Sequence, residues 1–236
     1  MKQLFGPRQA LTPLLAALSL ALIGDLSVAQ TSPVTTAPDG ALVWQNPKNG
    51  GVRRWQIVGE QIGVHESASV SARLISQLAH GSVLSNLGCS QKGDDLWCKV
   101  RPLRGGVRGY VKARHLEPAR GPDGIVAMGV NTTKRRARQR DFDATDTIQC
   151  AQEQGQSLSK CQAAVARSEG GDATIVATFP NGFARDLYFV HGEFIRASAT
   201  MSGVGTDTDW QLQGGNYRVR VDDQQYEIPR VFVVPN

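Results

Sequence analysis

The chain has 236 residues, with 26 lysines and arginines against 21 aspartates and glutamates, so its formal net charge at pH 7 is only +5. This mildly basic balance carries no strong electrostatic signature, and the length fits one large or two small domains. The four histidines are scattered and neither close pair of cysteines has the two-residue spacing typical of zinc ligands, so the sequence predicts no metal site and no cofactor.

Residues 1–29 have the pattern of a secretory signal peptide. Lys2 and Arg8 precede the apolar run 11–23, and Ser27-Val28-Ala29 provides a small-x-small cleavage site. The apolar run is too short to span a bilayer comfortably, although an uncleaved anchor stays open as the alternative. The sequence therefore predicts a periplasmic or secreted protein with no membrane span after cleavage.

The four cysteines form two close pairs, Cys89 with Cys98 and Cys150 with Cys161. In an exported chain we expect disulfides, and proximity favours Cys89–Cys98 and Cys150–Cys161 among the three possible pairings. Each bridge closes a short loop, and the chain-entropy relation gives roughly 2.5 kcal/mol of stabilisation per bridge. The first pair also brackets a turn-forming run, which indicates a disulfide-clamped β-hairpin.

The pattern of apolar residues divides the chain after the signal peptide. Residues 30–50 are rich in Thr, Ser and Pro and are predicted to be a flexible lead. Between residues 51 and 118, short apolar runs separated by glycine turn signals predict five or six strands of a small antiparallel barrel.

Residues 119–147 are predicted to be a basic linker. The run 134–140 holds five positive charges in seven residues, and a solvated spacer is the favoured interpretation, with docking on anionic lipid or an acidic partner left open. Export and the lack of interleaved aromatic residues argue against nucleic acid as the partner.

Residues 148–236 are predicted to form a second antiparallel β domain, a strongly curved sheet or small barrel of seven or eight strands. Asn181-Gly182 between alternating apolar segments is a strong hairpin signal. Val231–Val234 is predicted as the last strand, and only Ser157–Ala164 is expected to supply a turn or two of helix. The predicted fold class is therefore all-β.

Three segments carry a family resemblance: 81–89, 96–100 and 108–116. They resemble the bacterial Src-homology-3-like (SH3b-type) domain of exported proteins. The chain departs from the family at Tyr110, where a Trp is usual, and at His115, where a Tyr is usual. The resemblance implies ligand contact through exposed aromatic residues on one face, so Trp97, Tyr110 and His115 are the predicted binding residues, with ordinary packing on the barrel as the alternative.

The second half carries a resemblance of its own. Segments 141–145, 173–176 and 226–229 resemble a C-terminal module that accompanies this barrel in hypothetical exported proteins of proteobacteria. That resemblance supports the domain boundaries and implies no activity.

No catalytic residues are predicted, because the chain lacks a G-x-S-x-G elbow and its cysteines are assigned to disulfides. The sequence predicts an exported non-enzymatic binding or scaffold protein of the cell envelope whose partner is cell-wall peptide or an envelope protein. The alternative is a periplasmic inhibitor of a wall-degrading enzyme such as lysozyme, because the run 200–203 around Ser202-Gly203 is faintly similar to the inhibitory loop of small exported lysozyme inhibitors. The oligomeric state stays open.

Overall fold

A computed structural model describes residues 43–200 and 207–235 of the chain. Strands dominate this part and form two antiparallel sheets, which confirms the predicted all-β class. The signal peptide predicted over 1–29 and the Ser202-Gly203 loop lie outside the described residues. Within the described ranges, no helix has the length and apolar character needed to cross a membrane.

The first sheet has seven strands in the order β3-β2-β6-β5-β4-β1-β7. A 3-10 helix over Ala113–His115 connects β6 to β7. The strands are β1 Arg54–Ile57, β2 Gln61–His65, β3 Leu74–Ala79, β4 Val83–Lys92, β5 Asp95–Pro102, β6 Gly109–Lys112 and β7 Leu116–Pro118.

The core of the first sheet extends into the segment that was predicted to be flexible. Trp55 on β1 is fully buried, and the ring of Trp44 stacks on it with the centroids 4.7 Å apart. The Asn46 side-chain amide donates to the Leu87 carbonyl at 3.0 Å. The prediction of a flexible lead is therefore wrong for residues 43–50. Stacking of Trp44 on Trp55 removes apolar surface from water and so stabilises an ordered segment.

The second sheet has eight strands in the order β12-β11-β10-β9-β8-β15-β14-β13. A short helix, α1, precedes it and another, α2, follows it. The elements are α1 Thr133–Arg138, β8 Ala144–Ala151, β9 Ser159–Ser168, β10 Asp172–Thr178, β11 Ala184–Val190, β12 Glu193–Ala197, β13 Thr208–Gln213, β14 Asn216–Val221, β15 Gln224–Pro229 and α2 Arg230–Val233.

This second sheet curls so that strands distant in the sheet order meet across its core. The rings of Phe189 on β11 and Tyr217 on β14 lie 5.1 Å apart, and the Tyr217 hydroxyl donates to the Gly192 carbonyl at 2.6 Å. Phe179 and Tyr226 make a similar contact at 5.7 Å. The predicted strongly curved sheet of seven or eight strands is confirmed.

Both disulfide predictions are confirmed. Cys89 on β4 and Cys98 on β5 face each other in the strand register and are bonded. Cys150 on β8 is bonded to Cys161 on β9, and both are fully buried in the second core.

Two local predictions in the second half are wrong. Val231–Val234 is not a strand: the chain turns into α2, which buries Phe232 and Val233, and the Phe232 carbonyl accepts hydrogen bonds from Arg167 at 2.8 and 3.1 Å. Tertiary contacts here override the β propensity of the valines. Ser157–Ala164 is not helical either, since Cys161 and Ala163 point inward at the two-residue period of β9.

The segment 119–147 also differs from the predicted solvated spacer. It contains α1 and the first residues of β8, and the Thr133 hydroxyl lies 2.9 Å from the Thr174 hydroxyl on β10. Arg136, inside the basic run, binds Asp141 at 2.7 Å and Asp143 at 2.8 Å. The hydrogen bonds to these carboxylates raise the pKa of the Arg136 guanidinium. One charge of the basic run is thus paired inside the segment, and the same guanidinium also donates to the Arg167 carbonyl on β9 at 2.8 Å.

A buried carboxylate, that of Asp172 at the start of β10, links the two sheets. Its Oδ2 accepts from Arg53 at 3.0 Å and from Asn131 at 2.9 Å. Its Oδ1 accepts from Arg54 and from the His191 backbone N–H at 3.1 Å. These five residues, the Asp172 cluster, come from the first sheet, the connecting segment and the β10–β12 region of the second sheet.

The Asp172 cluster places two positively charged guanidinium groups beside a single carboxylate, so the buried charges do not balance. Desolvation lowers the pKa of Arg54, and the charge of Asp172 opposes that shift. Arg53 has four further acceptors, the Ser168 hydroxyl at 3.0 Å and the carbonyl oxygens of Gly129, Val130 and Glu169 at 3.1 to 3.2 Å. Without the carboxylate, the guanidinium of Arg54 would lose its counter-charge while staying out of water.

We therefore expect Asp172→Asn to lower the free energy of unfolding by about 3–5 kcal/mol, the usual cost of breaking a buried ion pair from one side. Urea unfolding followed by circular dichroism measures the change. Glu66→Gln is the matched control, because Glu66 pairs with Arg73 on the surface and its loss is expected to leave the midpoint unchanged. Equal effects of the two substitutions would contradict the assignment.

Candidate ligand site on the first sheet

The candidate site lies on the outward face of β5 and β6. Val111 points into the core, so its strand neighbours Tyr110 and Lys112 point outward at the two-residue period of a strand. The register pairs Trp97 with Lys112 and Lys99 with Tyr110 across the two strands. The Cys89–Cys98 bridge holds the hairpin that carries Trp97.

A cavity of about 280 Å³ opens beside this face. We call it the Trp97 cavity; besides Trp97 its main lining residues are His65, Val70, Lys112, Arg114 and His115.

Trp97 is a wall of this cavity and not an exposed platform, since its side chain is only 3% exposed. The His65 ring meets it edge-on, with centroids 5.5 Å apart and planes at 87°. The ammonium of Lys112 lies 5.5 Å from the ring centroid, within range of a cation–π interaction. Trp97 therefore packs on the barrel, which was the alternative interpretation of the sequence, and also lines the cavity.

His115 lines the same cavity as Trp97, whereas Tyr110 does not. Tyr110 is half-buried two cross-strand pairs further along β5 and β6, with the Lys99 ammonium 5.7 Å from its ring centroid. The structure thus brings together two of the three predicted binding residues.

Glycine at position 109 allows β2 to reach this face. A Cβ atom on Gly109 would lie 2.8 Å from the His65 carbonyl oxygen, which is too close for any other residue without a backbone shift. The close approach lets His65 pair with Tyr110 across β2 and β6, which places the His65 ring over Trp97.

The rim of the cavity is positively charged. Lys112 donates to Asp95 at 2.6 Å, and an Arg114 terminal nitrogen lies 3.8 Å from the other oxygen of the same carboxylate. Two cations therefore share one nearby anion. The Arg114 side chain is 64% exposed, so the N–H groups of its guanidinium that do not contact Asp95 or His115 can bind an incoming anionic group.

Burial and the neighbouring positive charges favour the neutral form of His115. Burial lowers the pKa of its imidazole, and the positive charges of Arg114 and Lys112 lower it further. Arg114 Nε donates to His115 Nε2 at 3.2 Å, a contact that requires a lone pair on Nε2. In the neutral ring the proton is therefore on Nδ1.

His65, Lys112 and Arg114 were missed as site residues by the sequence analysis. The position of Lys112 follows from the alternation of β6, since it shares the outward face with Tyr110. His65 carried no usable signal, because its position over Trp97 depends on the long-range pairing of β2 with β6.

Comparison with protein-family models, with curated proteins and with solved structures finds no match to this chain. Among the described residues, no group of three or more His, Cys, Asp or Glu side chains is arranged to hold a metal ion.

The lowered pKa of His115 predicts a pH dependence. At pH values between that lowered pKa and the ordinary value of 6.5, the unfolded chain binds more protons at His115 than the folded chain does. Protonation therefore favours unfolding in this pH range. The contribution of His115 to stability is complete above pH 6.5 and is lost as the pH falls through the range. In an NMR titration the imidazole of His115 is expected to have its midpoint below 6.5, and Arg114→Gln is expected to raise it. A midpoint at or above 6.5 would contradict the assignment, and Arg108→Gln, on an exposed residue outside the cavity, is the control.

Proposed function

We propose that the chain is an exported, non-enzymatic binding or scaffold protein of the cell envelope, whose first sheet binds cell-wall peptide or a peptide segment of an envelope protein. The observation that carries this proposal is the Trp97 cavity, in which a tryptophan wall stands beside two cations that share one carboxylate. The aromatic wall provides apolar contact area, and the guanidinium of Arg114 matches the planar geometry of a peptide carboxylate.

The hairpin of β2 and β3 adds apolar surface next to this charge. Val70 at its tip lines the cavity and is 68% exposed, and Leu74 at the start of β3 is 48% exposed. β3 is also an edge strand of its sheet, so one side of its backbone is open to an added extended peptide. Peptide ligands use this combination of edge hydrogen bonds, apolar pockets and charge pairing.

Export is supported by the signal-peptide pattern of residues 1–29 together with the two disulfides, which persist in oxidising compartments. Lysozyme inhibition is not proposed as a second function, because its candidate residues Ser202 and Gly203 lie outside the described part of the chain.

The test is co-sedimentation of the purified chain with insoluble peptidoglycan. Arg114→Glu reverses a charge at the cavity and is expected to weaken binding by about ten-fold, the effect of losing one charge-assisted hydrogen-bonded contact. Arg108→Glu is the matched control, since Arg108 is exposed, lies just before β6 where Arg114 lies just after it, and does not line the cavity. Circular dichroism verifies that both variants are folded.

Binding by the wild type that falls with Arg114→Glu and not with Arg108→Glu supports the proposal. Equal losses in the two variants would indicate non-specific attraction between a basic protein and the wall and would overturn the assigned site. Failure of the wild type to sediment with peptidoglycan or to bind peptides from envelope proteins would overturn the function.

A further inference from the structure

The second sheet carries a separate groove of about 490 Å³ on its outward face, bounded at one end by the C-terminus of α1 and the residues that follow. We call it the α1 groove. Residues that define it are Arg138, Arg140, Phe142, Ala164, Val176 and Asp186.

The floor of the groove is a row of short side chains across four neighbouring strands. Ala164 on β9 is paired with Thr145 on β8 and with Val176 on β10, and Val176 is paired with Asp186 on β11. Short residues on adjacent strands leave a trough on a sheet face that larger side chains would fill. The adjoining part of the same face is covered by α1, through the contact of Thr133 with Thr174.

The arginines of the basic run 134–140 differ in whether they have a carboxylate partner. Arg136 is bound by Asp141 and Asp143, whereas no carboxylate of the described residues lies within ion-pair distance of Arg138 or Arg140. Both of these arginines are exposed and line the groove. Their guanidinium groups are therefore available to an anionic ligand.

Further positive charge stands on the same face. The Lys134 ammonium and the Arg196 guanidinium lie 5.0 and 4.7 Å from the centroid of the Tyr188 ring. The carboxylate of Asp186 accepts from the Tyr188 hydroxyl at 3.0 Å. Two cations, Arg138 and Arg140, thus line the groove with a single acidic residue, Asp186, and this balance favours a ligand with net negative charge.

The backbone at Arg140 is also unusual. Its φ is +58°, a left-handed conformation that glycine adopts readily and arginine does not. The chain therefore holds a long cationic side chain beside the groove at a position where glycine would fit with less strain.

We propose that the α1 groove is a binding site for a short acidic peptide in extended conformation. Arg138 and Arg140 would bind its carboxylates, because the guanidinium fork matches a carboxylate in two parallel hydrogen bonds. Thr145 and Thr178 offer hydroxyl groups to the peptide backbone, and the alanine and valine floor accepts small apolar side chains. This site is separate from the Trp97 cavity and goes beyond the function proposed for it.

The test is isothermal titration of the purified chain with the peptide N-acetyl-Ala-Ala-Glu-Ala bearing a free carboxylate. Arg138→Gln and Arg140→Gly are each expected to raise the dissociation constant by about ten-fold. Arg140→Gly is compatible with the positive φ and so removes the guanidinium without disturbing the end of α1. Arg135→Gln is the matched control, an exposed arginine of α1 that does not line the groove.

Weakening in Arg138→Gln and Arg140→Gly, with Arg135→Gln unchanged, supports the groove as the site. Weakening only in Arg114→Glu would place the peptide in the Trp97 cavity and overturn the proposal, as would equal weakening in all arginine variants or no binding by the wild type. Binding to phosphatidylglycerol vesicles that depends on Arg138 and Arg140, without peptide binding, would assign the groove to a membrane surface and overturn it as well.

Discussion

The buried carboxylate of Asp172 is the contact on which the arrangement of the two sheets depends. It receives hydrogen bonds from Arg53 and Arg54 of the first sheet, from Asn131 of the connecting segment and from the backbone of His191. Buried charges are tolerated only where such donors compensate the lost hydration. Residues 119–132 are therefore held in place by Asn131 on this carboxylate, together with the bridge between Met128 and Val52 and the hydrogen bond from the Gly170 N–H to Asp123.

That return path also determines which charges are available for binding. Once Asn131 is bound to Asp172, α1 follows directly and lies on the outward face of the second sheet. Arg136 then forms ion pairs with Asp141 and Asp143, while Arg138 and Arg140 line the α1 groove. On the first sheet the outward face is likewise organised by one anion, Asp95, between Lys112 and Arg114. On the first sheet two cations share the carboxylate of Asp95. On the second sheet no carboxylate of the described residues pairs with Arg138 or Arg140. In both places positive charge is available to a ligand.

The features that the sequence predicted correctly are local in the chain. Alternating apolar runs, the Asn181-Gly182 turn and two close cysteine pairs specify hairpins and disulfides within short stretches, and these were confirmed. The Asp172 cluster joins residues more than a hundred positions apart, and no composition or period signals such a contact. The helix of the basic run and α2 were missed for the same reason, because burial of Ala137 and Phe232 against distant strands decides their conformation.

We expect the Asp172 cluster to couple the two sheets into a single cooperative unit. Differential scanning calorimetry of the wild-type chain measures this coupling. We predict one transition whose van't Hoff enthalpy equals the calorimetric enthalpy, as for a two-state unit. Two resolved transitions, or a van't Hoff enthalpy well below the calorimetric one, would show that the sheets unfold independently and would contradict this account.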